Sequence, residues 1–376
     1  MSKTPGMTTK DLNSHLYVLV LCGGGGKRLW PRSRVKSPKQ FIKFFGEKTI
    51  FQDTVSRSRI LVPYSRIFVV TNFDYVDEVR KQSPGIPREN IIAEPQAKNT
   101  AMAMGIGALK IHKLDPLAVI TNFASDHHVE NLRKFEQAVR TAVLTANLGD
   151  FLVTVGIKPT FPHTGMGYIK TSHLFKRVDD AEAFKVEKFV EKPDLVTAEK
   201  FLSEGGYFWN SNLYTWRADS ILRAIDKYLP KLSVRLEEIR ESLGTKKEES
   251  IIRKVYEEAE DISIDYGVSE KADNMLLVPA DFPWSDIGDW KVAYDISKKD
   301  KEGNVVIFEK GKGEFVGMET KNCLIHFSDE LIATIGVENL IIIDTKDALL
   351  VARKDRAEEV KKLVNLLKEK GKLKYL

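Results

Sequence analysis

The chain has few cysteines and no long apolar segment. Its 376 residues include only Cys22 and Cys323, too few for a disulfide framework or a cysteine-rich metal cluster, so we expect a reducing cytoplasmic location. No apolar run approaches the roughly 20 residues that span a bilayer. Residues 1–14 lack the apolar core of a signal peptide. We therefore expect no membrane association and predict a disordered leader over residues 1–14.

The sequence also lacks an excess of one charge along most of its length. The formal net charge is +5. Residues 353–376 hold nine Lys or Arg and four Asp or Glu, which accounts for the whole excess. Val360, Leu363, Val364 and Leu367 have the spacing of one helix face, so this segment is predicted to be a packed helix with solvated lysines. Nucleic acid is therefore not an expected partner.

Two common nucleotide-binding motifs are missing, although four glycines, Gly23–Gly26, follow the apolar run 17–21. The fingerprint G-x-G-x-x-G fails because Arg28 replaces its last glycine, and the P-loop fails because Arg28 follows Gly26-Lys27. A Rossmann oxidoreductase is thereby disfavoured, and an absence of NAD binding would exclude it.

The glycine-rich loop nevertheless has the composition of an anion site. Run 17–21 is predicted to be a buried strand, so the glycines lie at its carboxyl end, where their backbone N–H groups can surround an anion. Residues 27–39 then contain no acid and six basic residues: Lys27, Arg28, Arg32, Arg34, Lys36 and Lys39. These features predict a polyphosphate-binding loop, the alternative being a flexible surface loop.

The order of predicted elements indicates two domains. Strands and helices alternate from residue 16 to about 150, which is typical of a mostly parallel sheet covered by helices. We predict a Rossmann-like α/β domain with a mixed, mostly parallel sheet over residues 15–298. Short strands follow one another after residue 300, so residues 299–376 are predicted to form a small β domain, for which a short β-solenoid is one arrangement, closed by the terminal helix.

Two aspartates are candidate metal ligands. Asp126 follows a predicted strand at 118–123, and Asp286 lies in an aromatic-rich segment, 283–290. Mg²⁺ bound with nucleotide phosphates usually takes one or two carboxylates, although a turn or helix-capping role is the alternative for each. The pair His127-His128 lacks the further ligands that zinc requires.

Other polar residues carry weaker signals. Lys192 ends a predicted strand and is either a phosphate ligand or part of an exposed charge pair with Glu191. Asn210 is either a sugar ligand or part of a hairpin turn, and Gly167 marks either a turn or a close backbone approach to a ligand. Asn99 is a candidate helix N-cap.

Together these segments resemble sugar-1-phosphate nucleotidylyltransferases, with the match covering residues 16–350. The signature is carried by Leu21–Pro31 and Pro38–Phe41, whose Leu-Trp-Pro and Pro-Lys-Gln-Phe parts are similar to the branch acting on mannose 1-phosphate with GTP. Further segments agree in order: Glu94-Pro95, Asn99–Ala101, Ser125–His127, Thr164–Ile169, Phe189–Pro193, Trp209–Ser211, Ser263–Tyr266 and Trp284–Asp286.

The resemblance implies a Mg²⁺-dependent transfer of GMP from GTP to mannose 1-phosphate, which yields GDP-mannose and pyrophosphate. The resemblance implies that Arg28, Lys39 and Lys192 are catalytic and that Asp126 and Asp286 bind Mg²⁺. The nucleotide would contact Cys22, Gly23, Gly24, Gly25, Gly26, Glu94, Asn99 and Thr100, and the sugar would contact Gly167, Glu191 and Asn210. Glu94 is our own candidate for accepting the guanine N1–H and N2–H₂ donors.

Several residues depart from the family pattern: Lys27, His128, Met166, Asn212 and Gly267. Because several would lie near the sugar, another hexose 1-phosphate or another nucleotide is an alternative, as is a catalytically silent paralogue that binds nucleotide sugars. The additional cupin-like isomerase domain of longer relatives is absent from this sequence, so no isomerase activity is expected. Whether the chain is a monomer or a homodimer is left open.

Overall fold

The computed structural model describes residues 9–178, 181–308 and 312–376. The strands are β1 (Leu16–Cys22), β2 (Ile67–Asn72), β3 (Ile91–Glu94), β4 (Val119–Ala124), β5 (His128–Val129), β6 (Leu152–Ile157), β7 (Tyr168–Val178), β8 (Ala181–Val190), β9 (Tyr207–Arg217), β10 (Met275–Ala280), β11 (Trp284–Ser285), β12 (Val305–Phe308), β13 (Glu314–Met318), β14 (Leu324–Phe327), β15 (Leu331–Ile335), β16 (Leu340–Thr345) and β17 (Ala348–Arg353). The α-helices are α1 (Thr9–Ser14), α2 (Ile50–Leu61), α3 (Val76–Gln82), α4 (Asn99–Leu114), α5 (Leu132–Ala146), α6 (Leu195–Glu204), α7 (Ala218–Tyr228), α8 (Pro230–Ser242), α9 (Glu248–Glu258), α10 (Trp290–Ile296) and α11 (Val360–Glu369).

The chain folds into two compact units, each drawn from separated parts of the sequence. The first, called the sheet unit, comprises the described part of Met1–Gly23 with Val55–Ala124 and Val129–Pro283. The second, called the solenoid unit, comprises Gly24–Thr54, Ser125–His128 and the described part of Trp284–Leu376. This division differs from the sequence-based boundary after residue 298, because the glycine-rich loop is grouped with the C-terminal segment.

The sheet unit is built on one nine-stranded sheet with strand order β3-β2-β1-β4-β9-β6-β10-β8-β7. The pairings give seven strands one direction, and β8 and β9 run opposite to them. The predicted mixed, mostly parallel sheet is therefore confirmed. Strand order reverses at β1, where β1 and β4 end side by side with Leu21 paired to Ala124. Such a switch point is where ligands of open α/β sheets usually bind.

Helices cover both faces of this sheet. Leu19 of β1 belongs to the apolar core that includes α4, α7 and α8. Phe123 of β4 points to the opposite face, since its neighbour Asn122 is the residue paired with Leu19. There Phe123 packs against Phe135 of α5 with ring centroids 5.4 Å apart.

The C-terminal segment of the solenoid unit is a short parallel β-solenoid. Strands β12, β14 and β16 form one parallel ladder, and β13 and β15 form a second. The chain therefore alternates between two ladders, as the β-solenoid alternative predicted, and β17 pairs antiparallel with β16. In α11, Val360 and Val364 are buried, which confirms the predicted packed face of the terminal helix.

The beginning of the chain differs from the prediction. Residues 1–8 lie outside the described part, whereas Thr9–Ser14 form α1 instead of a disordered leader. Leu12 is buried, and Arg66 donates a hydrogen bond to the carbonyl oxygen of Asn13 at 2.6 Å. These two contacts explain why the predicted disorder does not extend to residue 14. No helix in the described part of the chain is long and apolar enough to cross a membrane.

Candidate active site

The glycine-rich loop opens the solenoid unit and depends on glycine at two positions. Gly24 has φ of +110° and Gly26 has φ of +52°, which L-residues rarely adopt. A Cβ on Gly26 would also lie 2.6 Å from Lys39 Cβ and 2.8 Å from Ser33 Oγ. Ser33 Oγ donates to the Gly25 carbonyl oxygen at 2.9 Å. The loop backbone is thus held against the Lys39 segment while Gly23, Gly24 and Gly25 remain exposed.

The basic residues that follow do not act as one cationic surface, which corrects the sequence-based interpretation. Arg32 Nε donates to His326 Nδ1 at 2.9 Å. Arg34 makes a bidentate ion pair with Asp347 at 2.6 and 2.8 Å. Both therefore fasten the loop to the β-solenoid. Arg28 is exposed, with no hydrogen bond or ion pair among the described residues, and its charge acts on nearby Asp289.

Lys39 contacts both residues that are candidate metal ligands. Its Nζ lies 2.9 Å from Asp126 Oδ2. The same ammonium donates to the backbone oxygen of Asp286 at 2.5 Å. One side chain of the solenoid unit therefore joins the loop after β4 to the segment around β11. The sequence, in which these three residues are far apart, predicted their roles but not this contact.

The two carboxylates differ in their surroundings. Burial would raise the pKa of Asp126, but the charges of Lys39 and His127 outweigh it, so the pKa lies below its usual range and the group is ionised at neutral pH. The Asp286 carboxylate has no hydrogen bond or ion pair with any described residue. In the described part of the chain, no group of three or more His, Cys, Asp or Glu side chains is arranged to hold a metal. A cation here would need ligands from a substrate or water.

The sugar-binding candidates belong to the sheet unit, where a bulge in β9 positions Asn210. Gly156 of β6 pairs with Asn210, and Thr154 pairs with Tyr214, so β9 uses two extra residues between them. Asn212 lies in this bulge with φ of +56°, a conformation that asparagine tolerates better than most residues. The hairpin-turn alternative is therefore wrong. The bulge accommodates the left-handed backbone of Asn212 within the strand.

Asn210, Gly167 and Glu191 form one cluster. The Asn210 backbone N–H donates to the Gly167 carbonyl oxygen at 2.8 Å. A Cβ on Gly167 would overlap the end of the Glu191 side chain and lie 3.3 Å from Asn210 Cβ, so protein side chains crowd this position. Asn210 Nδ2 donates to Asp265 Oδ1 at 2.9 Å. Asp265 also accepts from the Tyr214 hydroxyl at 2.7 Å.

Charges are concentrated in this cluster. Burial and the neighbouring Asp265 raise the pKa of Glu191, and burial raises the pKa of Asp265. Lys192 pairs with the Glu191 carboxylate. Burial alone would lower the pKa of the lysine, but this partner raises it. Lys192 has a left-handed backbone, with φ of +48°. Asp265 had no predicted role, although its Ser-Ile-Asp-Tyr segment was among those that carry the family resemblance.

The base-side candidates lie where β3 leads into α4. Glu94 is buried and accepts from the Tyr256 hydroxyl at 3.0 Å. Burial raises the pKa of Glu94 to about 7, against a smaller lowering by Tyr256. Thr100 Oγ1 accepts from the Ile264 N–H at 2.8 Å. Cys22 is buried at the end of β1.

The N-cap prediction for Asn99 is wrong. Lys98 is the cap residue of α4. Asn99 has φ of +64°, and among the described residues its side chain accepts only from the N–H of the next residue, Thr100, at 2.9 Å. In this left-handed conformation its side chain does not reach the second or third N–H of the helix, as a capping side chain would.

An α/β sheet whose switch-point strand leads into a glycine-rich loop is typical of nucleotide-binding proteins. The family model for nucleotidyl transferases matches residues 17–303, so the chain belongs to the nucleotidyl transferase family. A second family model, for the MannoseP isomerase/GMP-like beta-helix domain, matches residues 313–367, in agreement with the solenoid.

Curated relatives narrow the comparison. The chain is 37% identical over 369 residues to a mannose-1-phosphate guanylyltransferase of Klebsiella pneumoniae, covering 96% of this chain and 75% of that protein. It is 36% identical over 366 residues to the xanthan biosynthesis protein XanB of Xanthomonas campestris, covering 96% and 74%. The family resemblance read from the sequence is thereby confirmed.

Solved structures agree with the fold. A structure from Thermus thermophilus, described as a mannose-1-phosphate geranyltransferase, superposes with a TM-score of 0.84 at 31% identity and covers 94% of this chain and 99% of its own. A Helicobacter pylori structure described as a mannose-6-phosphate isomerase gives a TM-score of 0.58 at 25% identity, covering 72% and 99%.

Proposed function

We propose that this nucleotidyltransferase transfers GMP from GTP to mannose 1-phosphate, releasing pyrophosphate and forming GDP-mannose. The contact of Lys39 with Asp126 and with the Asp286 backbone, beside the glycine-rich loop, carries the proposal. The Lys39 ammonium, the carboxylates of Asp126 and Asp286, and exposed backbone N–H groups of the glycine-rich loop all belong to segments of the solenoid unit. The choice of GTP and mannose 1-phosphate follows the names of relatives such as the Klebsiella enzyme.

The donor set fits Mg²⁺. Asp126 is ionised at neutral pH, and Asp286 has a carboxylate that engages no described residue. Mg²⁺ prefers hard oxygen ligands and, in nucleotide sites, takes one or two carboxylates with phosphate oxygens and water. When bound, it would neutralise charge on the triphosphate.

The proposed reaction needs no general base. The second pKa of a phosphomonoester is near ~6, so mannose 1-phosphate is largely a dianion at pH 7. One of its phosphate oxygens attacks the α-phosphorus of GTP, a new P–O bond forms, and the bond to the β-phosphate breaks with pyrophosphate leaving. The barrier is the approach of two anions, so positioning and electrostatic stabilisation supply the catalysis.

Roles are assigned within each unit. In the solenoid unit, N–H groups of Gly24–Gly26 hold phosphate, Lys39 neutralises charge at the α-phosphate, and Arg28 stabilises the pyrophosphate. In the sheet unit, Lys192 holds the sugar phosphate. Sugar contacts come from Gly167, Glu191 and Asn210, and base contacts from Glu94, Asn99 and Thr100, with Cys22 and Gly23 leading into the phosphate loop.

The test is a substrate matrix. Pyrophosphate release is measured for the four nucleoside triphosphates against mannose, glucose, galactose and fucose 1-phosphates. We expect the highest kcat/KM for GTP with mannose 1-phosphate and no turnover after Mg²⁺ is chelated. Binding of GDP-mannose without pyrophosphate release from any pair would instead indicate a silent regulatory paralogue.

One specific contact favours an alternative substrate, a hexose 1-phosphate other than mannose 1-phosphate. Asn212, which departs from the family pattern, accepts from Asn210 Nδ2 at 3.1 Å. The hydrogen-bonding of a proposed sugar ligand is therefore altered in this chain. A higher kcat/KM with another hexose 1-phosphate would support this alternative and retain the reaction class.

A further inference from the structure

Ile287 has a backbone conformation that β-branched residues avoid. Its φ is +46°, in the left-handed region where an L-residue pays a penalty of roughly 1–2 kcal/mol and where β-branched residues are outliers. Such conformations persist only when the surrounding structure fixes them, and they concentrate at functional sites. Ile287 directly follows Asp286, one of the two proposed metal ligands.

The surroundings fix Ile287 from two sides. Its side chain is 0% exposed. It lies in the apolar cluster that includes Leu29 and Trp290. Its backbone N–H donates to Ser285 Oγ at 3.1 Å. The side chain is therefore an anchor that holds the left-handed backbone in place.

The left-handed backbone at Ile287 determines two sets of contacts next to the proposed metal site, one with Lys39 and one made by Asp289. It leaves the carbonyl oxygens of Asp286 and Ile287 at 2.5 and 3.5 Å from Lys39 Nζ. Asp289, two residues on, caps α10 by accepting from two backbone N–H groups at 2.7 and 3.0 Å. An ordinary backbone at residue 287 would redirect the chain between these contacts and turn the Asp286 carboxylate.

We propose that Ile287 is a positioning residue, whose anchored left-handed backbone aims the Asp286 carboxylate and holds the Asp286 backbone oxygen against Lys39. The inference rests on the proposed function, because Asp286 has its role there. Ile287 is fully buried, so its side chain is proposed to act through Asp286 and not by contact with substrate or metal. Displacements of about 1 Å in such sites can cost about 100-fold in rate, so the anchor is expected to affect metal binding as well as turnover.

The test compares Ile287→Ala and Ile287→Gly with Ile341→Ala. Ile341 is 0% exposed in the same apolar cluster, has an ordinary strand backbone in β16, and controls for lost packing. Binding of Mn²⁺ with GTP is followed by electron paramagnetic resonance, stability by thermal unfolding, and turnover by pyrophosphate release. Gly adopts positive φ without strain, so Ile287→Gly should melt above Ile287→Ala, the reverse of the usual order.

The expected result is a weakening of Mn²⁺ affinity and of kcat/KM by about 10- to 100-fold in both Ile287 variants, with Ile341→Ala within about twofold of the wild type despite a lower Tm. If Ile287→Ala does not fold, Ile287→Gly decides alone. Equal Mn²⁺ affinity in the Ile287 and Ile341 variants would show that Ile287 contributes only to packing, and it would overturn the inference.

A wild-type protein that binds no Mn²⁺ would overturn both the proposed metal site and this inference. Mn²⁺ binding without turnover would count against the proposed function only.

Discussion

Asp126 and Asp286 are proposed to bind one cation, yet of their two carboxylates only that of Asp126 has an ion-pair or hydrogen-bond partner in the described part of the chain. Asp126 pairs with Lys39 at 2.9 Å. The two Asn variants should therefore differ in stability while sharing a loss of activity. We expect Asp286→Asn to abolish most Mg²⁺-dependent turnover without lowering Tm. Asp126→Asn should do the same and also lower Tm, because Lys39 loses its carboxylate. Activity retained at ordinary Mg²⁺ in either variant would remove that aspartate from the metal site.

Arg28 is an exposed side chain, and no described residue binds it through a hydrogen bond or ion pair. Losing one donor to transition-state charge typically costs about 10²–10³-fold in kcat. Arg28→Ala should therefore lower kcat by that factor and leave the thermal midpoint unchanged. Lys36→Ala, also exposed in the same loop, is the matched control and should keep activity. A Tm that falls along with activity in Arg28→Ala would show a structural role instead.

Glu94 gives the protein a pH dependence whose sign follows from burial. Its pKa is raised from 4.5 to about 7 by burial, so the folded state holds the proton more tightly than the unfolded chain. Stability from this group is present below pH 4.5 and is lost as pH rises through about 7, by about 3 kcal/mol in total. Urea unfolding between pH 5 and 8 should show this loss in the wild type and a flatter profile in Glu94→Gln.

The proposed contact of Glu94 with guanine leads to a prediction about nucleotide preference. Ionised Glu94 can accept both guanine donors, whereas Gln offers one acceptor and one donor. A lost charge-assisted hydrogen bond costs roughly 1.5–3 kcal/mol, so Glu94→Gln should lower kcat/KM for GTP by about ten- to a hundredfold and leave ATP nearly unchanged. In the wild type, the GTP-to-ATP preference should increase as pH rises through about 7. Equal effects on both nucleotides would show that the base is read elsewhere.

Among the secondary-structure elements, strand β9 contains a bulge whose backbone conformation depends on the residue at position 212. Asn212 in its bulge has φ of +56°, which Ala adopts at a cost of roughly 1 kcal/mol relative to Gly. Asn212→Ala should therefore be less stable than Asn212→Gly by about 1 kcal/mol in urea unfolding. Both variants also remove one of the acceptors of Asn210 Nδ2 and test whether sugar preference changes. Equal stability of the two variants would contradict the assigned backbone conformation.

Elements with strong patterns could be predicted from sequence, and irregular ones could not. The run 17–21 is apolar throughout because β1 is covered on both faces, and it therefore predicted a buried strand. The spacing of Val360 and Val364 predicted the helix α11. The bulge around Asn212 shifts the register of β9 against β6, and the residue types of this strand do not show where that shift occurs. Asn99 has the residue type of an N-cap, but its backbone is left-handed, which the residue type alone does not show.

At the scale of the whole molecule, the glycine-rich loop belongs to the solenoid unit. Trp30 Nε1 donates to the Tyr375 carbonyl oxygen at 2.7 Å, and Arg32 and Arg34 bind His326 and Asp347. Burial and the Arg32 charge lower the pKa of His326 to about 3, so it stays neutral and accepts the Arg32 N–H. The sequence showed that Arg32 and Arg34 are basic, but it could not show which basic residues are used by the fold, because their partners lie about 300 residues away.

These contacts predict the outcome of a truncation after residue 298. The fragment keeps the loop, Asp126 and Asp286 but loses three anchors of the loop. We expect its pyrophosphate release to fall by at least about 100-fold. The full-length double variant Arg32→Ala/Arg34→Ala should lose activity similarly, whereas Arg353→Ala, which pairs only with Asp355 among the described residues, should not. A fragment with full activity would show that the loop holds its shape without the β-solenoid.

The bond between Trp30 and Tyr375 spans 345 positions of the chain, and this separation has a consequence for biosynthesis. Ribosomes deliver a protein from its amino terminus, and domains generally fold in that order. Here the glycine-rich loop is translated within the first few dozen codons, but the hydrogen bond from Trp30 to the Tyr375 carbonyl can form only after translation has passed residue 375. We therefore expect the last of the three anchors of the loop to be completed only when nearly the whole chain has been made.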